Sequence, residues 1–278
     1  GRMRVDTVLA AVERILAPVG RRLDRAHPSV DARLPDGSRL CAAIPPIAVD
    51  GPCIAIRRFA ARVIALDEFC SDAVAQLLGH AVRQRLNVVI SGPTSSGKTT
   101  LLNALTQLVP AHERIITLED VAELRLPHPH VVRLETREAT PDGVSAIDLA
   151  HLLRTALRMR PDRLVVGEIR GAEAVQLLQA LNTGHDGSLA TMHANGPLDA
   201  LMRLSSLVLQ SATSWPLDAV HHTVTRAIDL VVHVARTANG SRVVDEVAEV
   251  QVHPHHHLGT KVVVHRGDVV GELSRCRA

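Results

Sequence analysis

The sequence predicts an α/β protein, a main domain with a largely parallel sheet preceded by a smaller α+β unit. Three observations carry that prediction. From Asn87 onward, short apolar runs alternate with helical patterns, as in an open parallel sheet. Residues Gly92-Pro93-Thr94-Ser95-Ser96-Gly97-Lys98-Thr99-Thr100 form a complete GxxxxGK[ST] loop between an apolar strand, Asn87 to Ser91, and a helix-like run, Leu101 to Leu105. Residues 29–59 show hairpin-like strands and turns instead.

Taken in order, Val5, Val8, Leu9, Val12, Ile15, Leu16 and Val19 recur at helical spacing over residues 5–23, and Pro18-Val19-Gly20 ends that helix. Residues 30–34 and 39–44 flank a hairpin turn, Pro35-Asp36-Gly37-Ser38, and a third strand, 53–57, follows Asp50-Gly51-Pro52. Residues 1–58 thus read as an α+β unit lacking its N-terminal part, and 59–72 as a linker. An amphipathic helix runs from Asp72 to about Arg85. In the main domain, residues 73–278, strands are expected at 87–91, 114–118, 130–134, 163–167, 187–192 and 229–235. The last pairs with 242–251 around Thr237-Ala238-Asn239-Gly240. The tail beyond the histidine tract at 253–257 receives no assignment.

Length and composition narrow the class. A chain of 278 residues is long for one compact core and suits one large domain plus a small one. With 46% hydrophobic and 22% charged residues it has the balance of a soluble globular protein. A net charge of +2 does not by itself imply a nucleic-acid partner. Phe59, Phe69 and Trp215 are the only aromatics, which disfavours a base-stacking surface for single strands. Cys41, Cys53, Cys70 and Cys276 form no CxxC pair, so neither a zinc ribbon nor a dithiol redox site is supported. Scattered thiols fit a reducing, cytoplasmic compartment. No apolar run approaches the roughly 20 residues of a bilayer span, and no signal-peptide pattern precedes the first helix. Membrane association is therefore expected only through a partner or a surface contact.

The loop has a definite chemistry. At a strand-to-helix turn its glycines let backbone N–H groups close around phosphates, and the helix dipole favours the anion. Lys98 would reach the β- and γ-phosphates of a nucleotide, and Thr99 would offer its hydroxyl to Mg²⁺. Three further segments extend it. Arg163 to Gly167 is an apolar strand that delivers Glu168 at its C-terminal end, where P-loop proteins hold Mg²⁺ or polarise the attacking water. Arg114 to Leu118 leads into Glu119, Asp120 and Glu123. The four-residue spacing of Glu119 and Glu123 would put both on one side of a helical turn, yet acidic residues are also ordinary neighbours of helix N-termini. Gly184 to Asn195 is a strand between glycines with Thr191 and His193 at its far end. Taken alone, His193 reads more readily as an ordinary hydrogen-bonded histidine.

In this order, loop, acidic segment, Gly-Glu-Ile-Arg-Gly (167–171) and Thr-Met-His (191–193), the chain resembles the type II/IV secretion and pilus-assembly ATPase superfamily (GspE-like) from about Ser29 to Gln251. The segments 30–39, 44–46, 56–59, 167–171 and 183–195 look most like the CpaF/TadA branch, the tight-adherence pilus motors. The four-cysteine insertion of the type II export motors is absent. The resemblance implies a RecA-like ATPase domain, a homohexameric ring, and ATP and Mg²⁺ bound between an N-terminal domain and that motor domain. It further implies an inner-membrane platform protein as partner. By position, Gly92 to Thr100 would bind nucleotide, and Thr99 and Glu168 would hold Mg²⁺. Glu168 would position or activate water, assisted by Glu119 and Glu123, with His193 as the box histidine. Arg154 and Arg158 match the family's arginines before the Glu168 strand, and Arg57 is a further candidate to reach the γ-phosphate. Which arginine serves there stays open among 31 Lys and Arg residues.

The tract His253-Pro254-His255-His256-His257 lacks acidic or cysteine partners and is weak ground for a metal site. The expected function is a cytoplasmic ATP-hydrolysing motor at the inner face of the membrane. A nucleotide-gated scaffold with little hydrolysis is the alternative, although complete acidic and histidine segments argue against it. A nucleic-acid translocase is disfavoured by the missing aromatics and near-neutral charge, and no LSGGQ-like segment marks an ABC transporter.

Overall fold

The computed structural model describes residues 5–58, 64–139, 143–253 and 257–277. The chain divides into two compact units, Gly1–Arg62 and Val63–Ala278. The first part of the expected linker and the centre of the histidine tract, residues 59–63 and 254–256, lie outside the described residues.

In the N-terminal unit, α1 (Val5–Leu16) is followed by a 3-10 turn over Ala17–Val19, with Gly20 left-handed at φ 65°. Proline inside that turn cannot continue the helix, and glycine tolerates the closing conformation. Strands β1 (Ser29–Arg33), β2 (Arg39–Ala43) and β3 (Cys53–Arg57) form an antiparallel sheet in that order. The β1–β2 turn is held by Asp36, whose carboxylate accepts from the Ser38 N–H and hydroxyl, both at 2.9 Å. Alternate residues Val30, Ala32, Leu40 and Ala42 face one way and pack with Val12 and Leu16 of α1.

The C-terminal unit holds α2 (Asp72–Arg83), β4 (Val88–Ser91), α3 (Lys98–Thr106), β5 (Ile115–Glu119), β6 (Val131–Glu135), α4 (Leu149–Leu157) and β7 (Arg163–Val166). It continues through α5 (Glu173–Leu181), β8 (Leu189–Met192), α6 (Pro197–Ser211), α7 (Leu217–Ala227), β9 (Leu230–Arg236), β10 (Arg242–His253), β11 (His257–His265) and β12 (Asp268–Val269). Their sheet runs β12-β11-β10-β9-β4-β8-β7-β5-β6. Strands β9, β4, β8, β7, β5 and β6 are parallel, and β9 to β12 are antiparallel.

Every residue of β4, β5, β7 and β8 is buried because both faces are covered. Val89, Ile116, Leu164 and Ala190 pack toward α4, α5, α6 and α7, whereas Val88, Ile90, Ile115 and Val165 pack toward α2 and α3. The strands fall within a residue or two of the expected spans, the usual scatter of element ends. Two findings go beyond them. The unassigned tail contains β11 and β12, and a bulge between Val247 and Ala248 breaks the two-residue alternation that would reveal the β10–β11 ladder. No helical turn follows Glu119: residues 120–130 are irregular, so the expected helical juxtaposition of Glu119 and Glu123 does not occur.

The tail is anchored by charge. Glu249 of β10, fully buried, accepts from the Ser274 hydroxyl at 2.7 Å and the Ser274 and Arg275 N–H groups, both at 2.5 Å. Asp229 receives Arg275 NH1 at 2.8 Å and Arg277 Nε at 2.6 Å, and also accepts from the Asn87 N–H at 2.8 Å. A second network lies at the starts of β5 and β7. Arg163, fully buried, donates to Glu113 through Nε at 2.5 Å and NH2 at 3.1 Å, and through NH1 to the Val82 and Gly187 carbonyls at 2.8 and 3.2 Å. Burial pushes the Glu113 carboxyl up, but Arg163 and Arg85 outweigh it and hold it low. Glu113→Gln strands that guanidinium, so chemical denaturation should show a loss of about 3 kcal/mol. A loss below about 1 kcal/mol, the scale of exposed pairs, would show that the network contributes no more than a surface contact.

Candidate nucleotide site

The parallel strands β4, β8, β7 and β5 end at one edge of the sheet, so the loops after them share a crevice. The loop after β4 is closed by contacts that exclude side chains. Gly92 has φ 156°, and a Cβ there would lie 2.5 Å from the Val234 carbonyl oxygen and 2.6 Å from Ser96 Oγ. Gly97, at φ 102°, caps α3, and its Cβ would lie 2.7 Å from Arg242 Cδ and 3.3 Å from the Phe69 ring. Ser95 is left-handed at φ 61° without being glycine. Backbone of this kind builds anion-binding nests. Ser96 Oγ is buried, and no hydrogen-bond partner for it exists among the described residues. Pro93, Thr94 and Ser95 are exposed, and Thr99 and Thr100 are half-buried in the first turn of α3.

Lys98, the first residue of α3, is buried. Its Nζ donates to the Gly92 and Pro93 carbonyls, both at 3.0 Å, and lies 3.2 Å from His193 Nδ1. Burial holds its pKa below the ordinary lysine value, partly countered by the Glu168 charge. His193 follows β8, and its Nε2 is 3.2 Å from Glu168 Oε1. Burial and then the Lys98 charge hold His193 below the ordinary histidine value. A neutral ring protonated on Nε2 satisfies both contacts, since Nδ1 accepts from Lys98 and Nε2–H donates to Glu168.

Glu168 follows β7. Burial raises its carboxyl, but the hydrogen bond and charge of Arg170, with His193 and Lys98, leave the net direction downward. Arg170 NH2 donates to Glu168 Oε2 at 2.7 Å, and NH1 lies 3.5 Å from Asp120 Oδ2. Two hydrogen bonds lock the β7 and β8 ends in register: Thr191 Oγ1 to the Gly167 carbonyl at 2.6 Å, and the Ile169 N–H to the Thr191 carbonyl at 2.8 Å. The result is a continuous series, Lys98, His193, Glu168, Arg170 and Asp120.

Glu119 ends β5 and is buried against Gly167, where a Cβ would lie 3.0 Å from Glu119 Cγ. Its Oε1 accepts from the Glu123 and Leu124 N–H groups, both at 2.8 Å, while its Oε2 is buried without a partner among the described residues. Glu123 therefore approaches Glu119 through its backbone. Arg154 and Arg158 are both exposed, on α4 and at its C-terminal cap, and no contact links them to the Lys98–Glu168 series among the described residues. Arg57 lies in β3 of the N-terminal unit. Two features escape a reading of the loop motifs alone. Arg170, two residues beyond Glu168, is one. The other is the packing behind the loop, where Ser91 Oγ lies 3.0 Å from His233 Nδ1 and Arg242 covers Gly97. Arg170 is part of the Gly-Glu-Ile-Arg-Gly segment, but that segment gives it no role, and its partners come from beyond the end of β7.

Burial is the largest influence on Glu119 and pushes its carboxyl from 4.5 up to about 7. The folded state thus binds a proton more tightly than the unfolded chain. Its contribution to stability is full below about pH 4.5 and is lost as pH rises through about 7. Glu119→Gln should remove that component, flattening the fall in unfolding free energy between about pH 5 and 8 by up to about 3 kcal/mol. Parallel pH profiles of variant and wild type would exclude the shift.

A family model described as Type II/IV secretion system protein matches residues 2–267. A putative conjugal transfer protein of Mycobacterium tuberculosis H37Rv is 41% identical over 254 residues, covering 87% of this chain and 72% of that protein. The conjugal transfer protein TrbB of Rhizobium radiobacter is 37% identical over 265 residues, covering 91% and 78%. Among solved structures, the VirB11 ATPase from the Brucella suis type IV secretion system superposes with a TM-score of 0.58 at 28% identity, covering 89% of this chain and 81% of that one. The Legionella pneumophila ATPase DotB, at 22% identity, shares the fold with a TM-score of 0.62, covering 87% and 68%. With its RecA-like sheet and small N-terminal unit, the chain belongs to the type II/IV secretion system protein family, whose solved relatives are ATPases.

Proposed function

We propose that this protein hydrolyses ATP and passes the resulting motion to a secretion or pilus-assembly machine. The observation that carries the reading is the link from Lys98 of the loop through His193 to Glu168, at the ends of nearby parallel strands. The cradle suits phosphate: Gly92 and Gly97 leave no room for side chains, Ser96 Oγ is buried and unspent, and Lys98 sits at a helix N-terminus. The donor set also suits Mg²⁺, a hard cation that takes oxygen ligands, here the Thr99 hydroxyl and the Glu168 carboxylate. Bound Mg·ATP supplies the phosphoanhydride to be cleaved and the cation that offsets its charge.

The protein groups then have separate tasks. Lys98 and the loop N–H groups bind and orient the phosphates. Glu168, kept ionised by its cationic neighbours, orients the attacking water and takes its proton. His193 fixes one Glu168 oxygen through Nε2–H and faces Lys98 through Nδ1, which lets it respond when Lys98 turns to a phosphate. Glu119, buried beneath Gly167, supports the Glu168 turn, and Glu123 assists at the same rim. Arg57, Arg154 and Arg158 are the candidates for the extra charge on the transferring phosphoryl group, which is worth roughly 10³ to 10⁵ in rate in P-loop enzymes.

The reading extends to a homohexamer acting on an inner-membrane platform protein. No helix among the described residues is long and apolar enough to cross a membrane, so a protein partner is the natural route to the bilayer. The segments 167–171 and 183–195 favour a tight-adherence pilus machine, while the relatives are named for conjugal transfer and type IV secretion. Light scattering with an ATP analogue should give the mass of a hexamer.

Glu168→Gln should still bind ATP while phosphate release falls by about 10²-fold or more, the usual share of a general base. Lys98→Ala should lose nucleotide binding itself. Normal turnover by the Glu168→Gln protein would remove Glu168 from the proposed role. Absence of phosphate release from wild-type oligomer would favour a nucleotide-gated scaffold instead.

A further inference from the structure

We infer that Arg170 is a positioning residue that holds the Glu168 carboxylate in the orientation needed to direct water, an inference that rests on the ATPase reading above. Each Glu168 oxygen has its own neighbour, His193 Nε2 at 3.2 Å from Oε1 and Arg170 NH2 at 2.7 Å from Oε2. Together they oppose rotation of the carboxylate about its terminal bond. The Arg170 fork reaches a second anion as well, Asp120 Oδ2, 3.5 Å from NH1. Because Asp120 follows β5 and Glu168 follows β7, the guanidinium bridges the ends of two neighbouring strands.

The root of the side chain is fixed too. The Arg170 and Gly171 N–H groups both donate to Glu173 Oε1, at 2.5 and 2.8 Å, and Glu173 is the buried first residue of α5. The Ile169 N–H is tied to Thr191 of β8. A pinned backbone carrying a planar fork can set an angle that a flexible lysine cannot. The Arg170 side chain is 58% exposed, so its ion pairs add little to folding stability. Orientation is where such a contact has leverage, since a small misplacement of a reacting group costs on the order of 10² in rate.

Arg170→Met should lower kcat by roughly 10- to 100-fold while the KM for ATP stays within about threefold, the split expected of a group acting only on the chemical step. Arg170→Lys should recover part of the loss. In a Glu168→Gln background, Arg170→Met should cost nothing further, because its effect passes through the carboxylate. An unchanged or raised kcat overturns the inference, as does a rise in KM alone or an undiminished further loss in the Glu168→Gln background. Should Arg170→Met fail to fold, Asp120→Asn serves instead: a fall in kcat of roughly two- to tenfold supports the bridge, and wild-type kcat overturns it. Wild-type protein that releases no phosphate overturns the ATPase reading itself, a result visible before any Arg170 variant is made.

Discussion

The tight seating of the loop against β9 and β10 is the constraint from which the site follows. At Gly92 the backbone lies so close to Val234 that a methyl group would sit 2.5 Å from a carbonyl oxygen. At Gly97 the stem of Arg242 and the edge of Phe69 occupy the space that a side chain would need. These contacts come from two sides of the loop and fix where α3 begins. The position of Lys98, its first residue, follows. The contacts also explain why the antiparallel strands are joined to the parallel sheet beside β4. Pairing of Ser91 with His233 places Val234 where the loop turns, and the Ser91 hydroxyl contacts the His233 ring at the same level.

On the other flank of β4 the fold arranges charge. Parallel strands β8, β7 and β5 end together, so a lysine, a histidine, a glutamate, an arginine and an aspartate from distant parts of the chain fall into one series. Cations and carboxylates are interleaved along it, and that offsets the cost of removing Lys98 and Glu168 from water. Protonation follows from burial and charge together: the cations hold Glu168 ionised, and burial, with the Lys98 charge after it, keeps His193 neutral. Glu119 lies close by in chain and space, but two backbone N–H groups and the charge of Arg133 do not outweigh its burial. Its carboxyl is driven in the opposite direction. Two glutamates at neighbouring strand ends thus acquire different chemistry from their surroundings alone.

Much of this is legible in the sequence because it depends on local pattern. The parallel strands announce themselves as short apolar runs between turn residues, and the loop by glycines at positions that only glycine fits. Glu168 stands out because it lies just past an apolar strand, whereas His193, taken alone an ordinary hydrogen-bonded histidine, stands out only through the family resemblance of residues 183–195. What escapes depends on tertiary contacts. Glu119 and Glu123 have helical spacing, yet Glu119 captures two backbone N–H groups of the segment that follows, and the chain there stays irregular. Strand β11 is hidden because the ladder's register shifts at Val247/Ala248 and because the tract at 253–257 reads as a run of histidines and not as a hairpin turn. Arg170 is one arginine among many until Asp120 and Glu168 are seen on either side of it.

The tail shows how the two ends of the sheet are related. Asp229 accepts from the Asn87 N–H just before β4 and from Arg275 and Arg277, while Arg277 also pairs with Asp186 ahead of β8. One buried carboxylate therefore ties together the starts of β4 and β9, and the tail extends the tie to β8. The far ends of these same three strands carry the Gly92 turn, the His233–Val234 wall and His193. Strands β4 and β8, only four residues long and fully buried, have little freedom to shift along their neighbours. Fixing their starts limits how far their ends can shift, so Asp229 supports from the opposite edge the spacing that the Gly92 and Pro93 carbonyls set between Lys98 and His193.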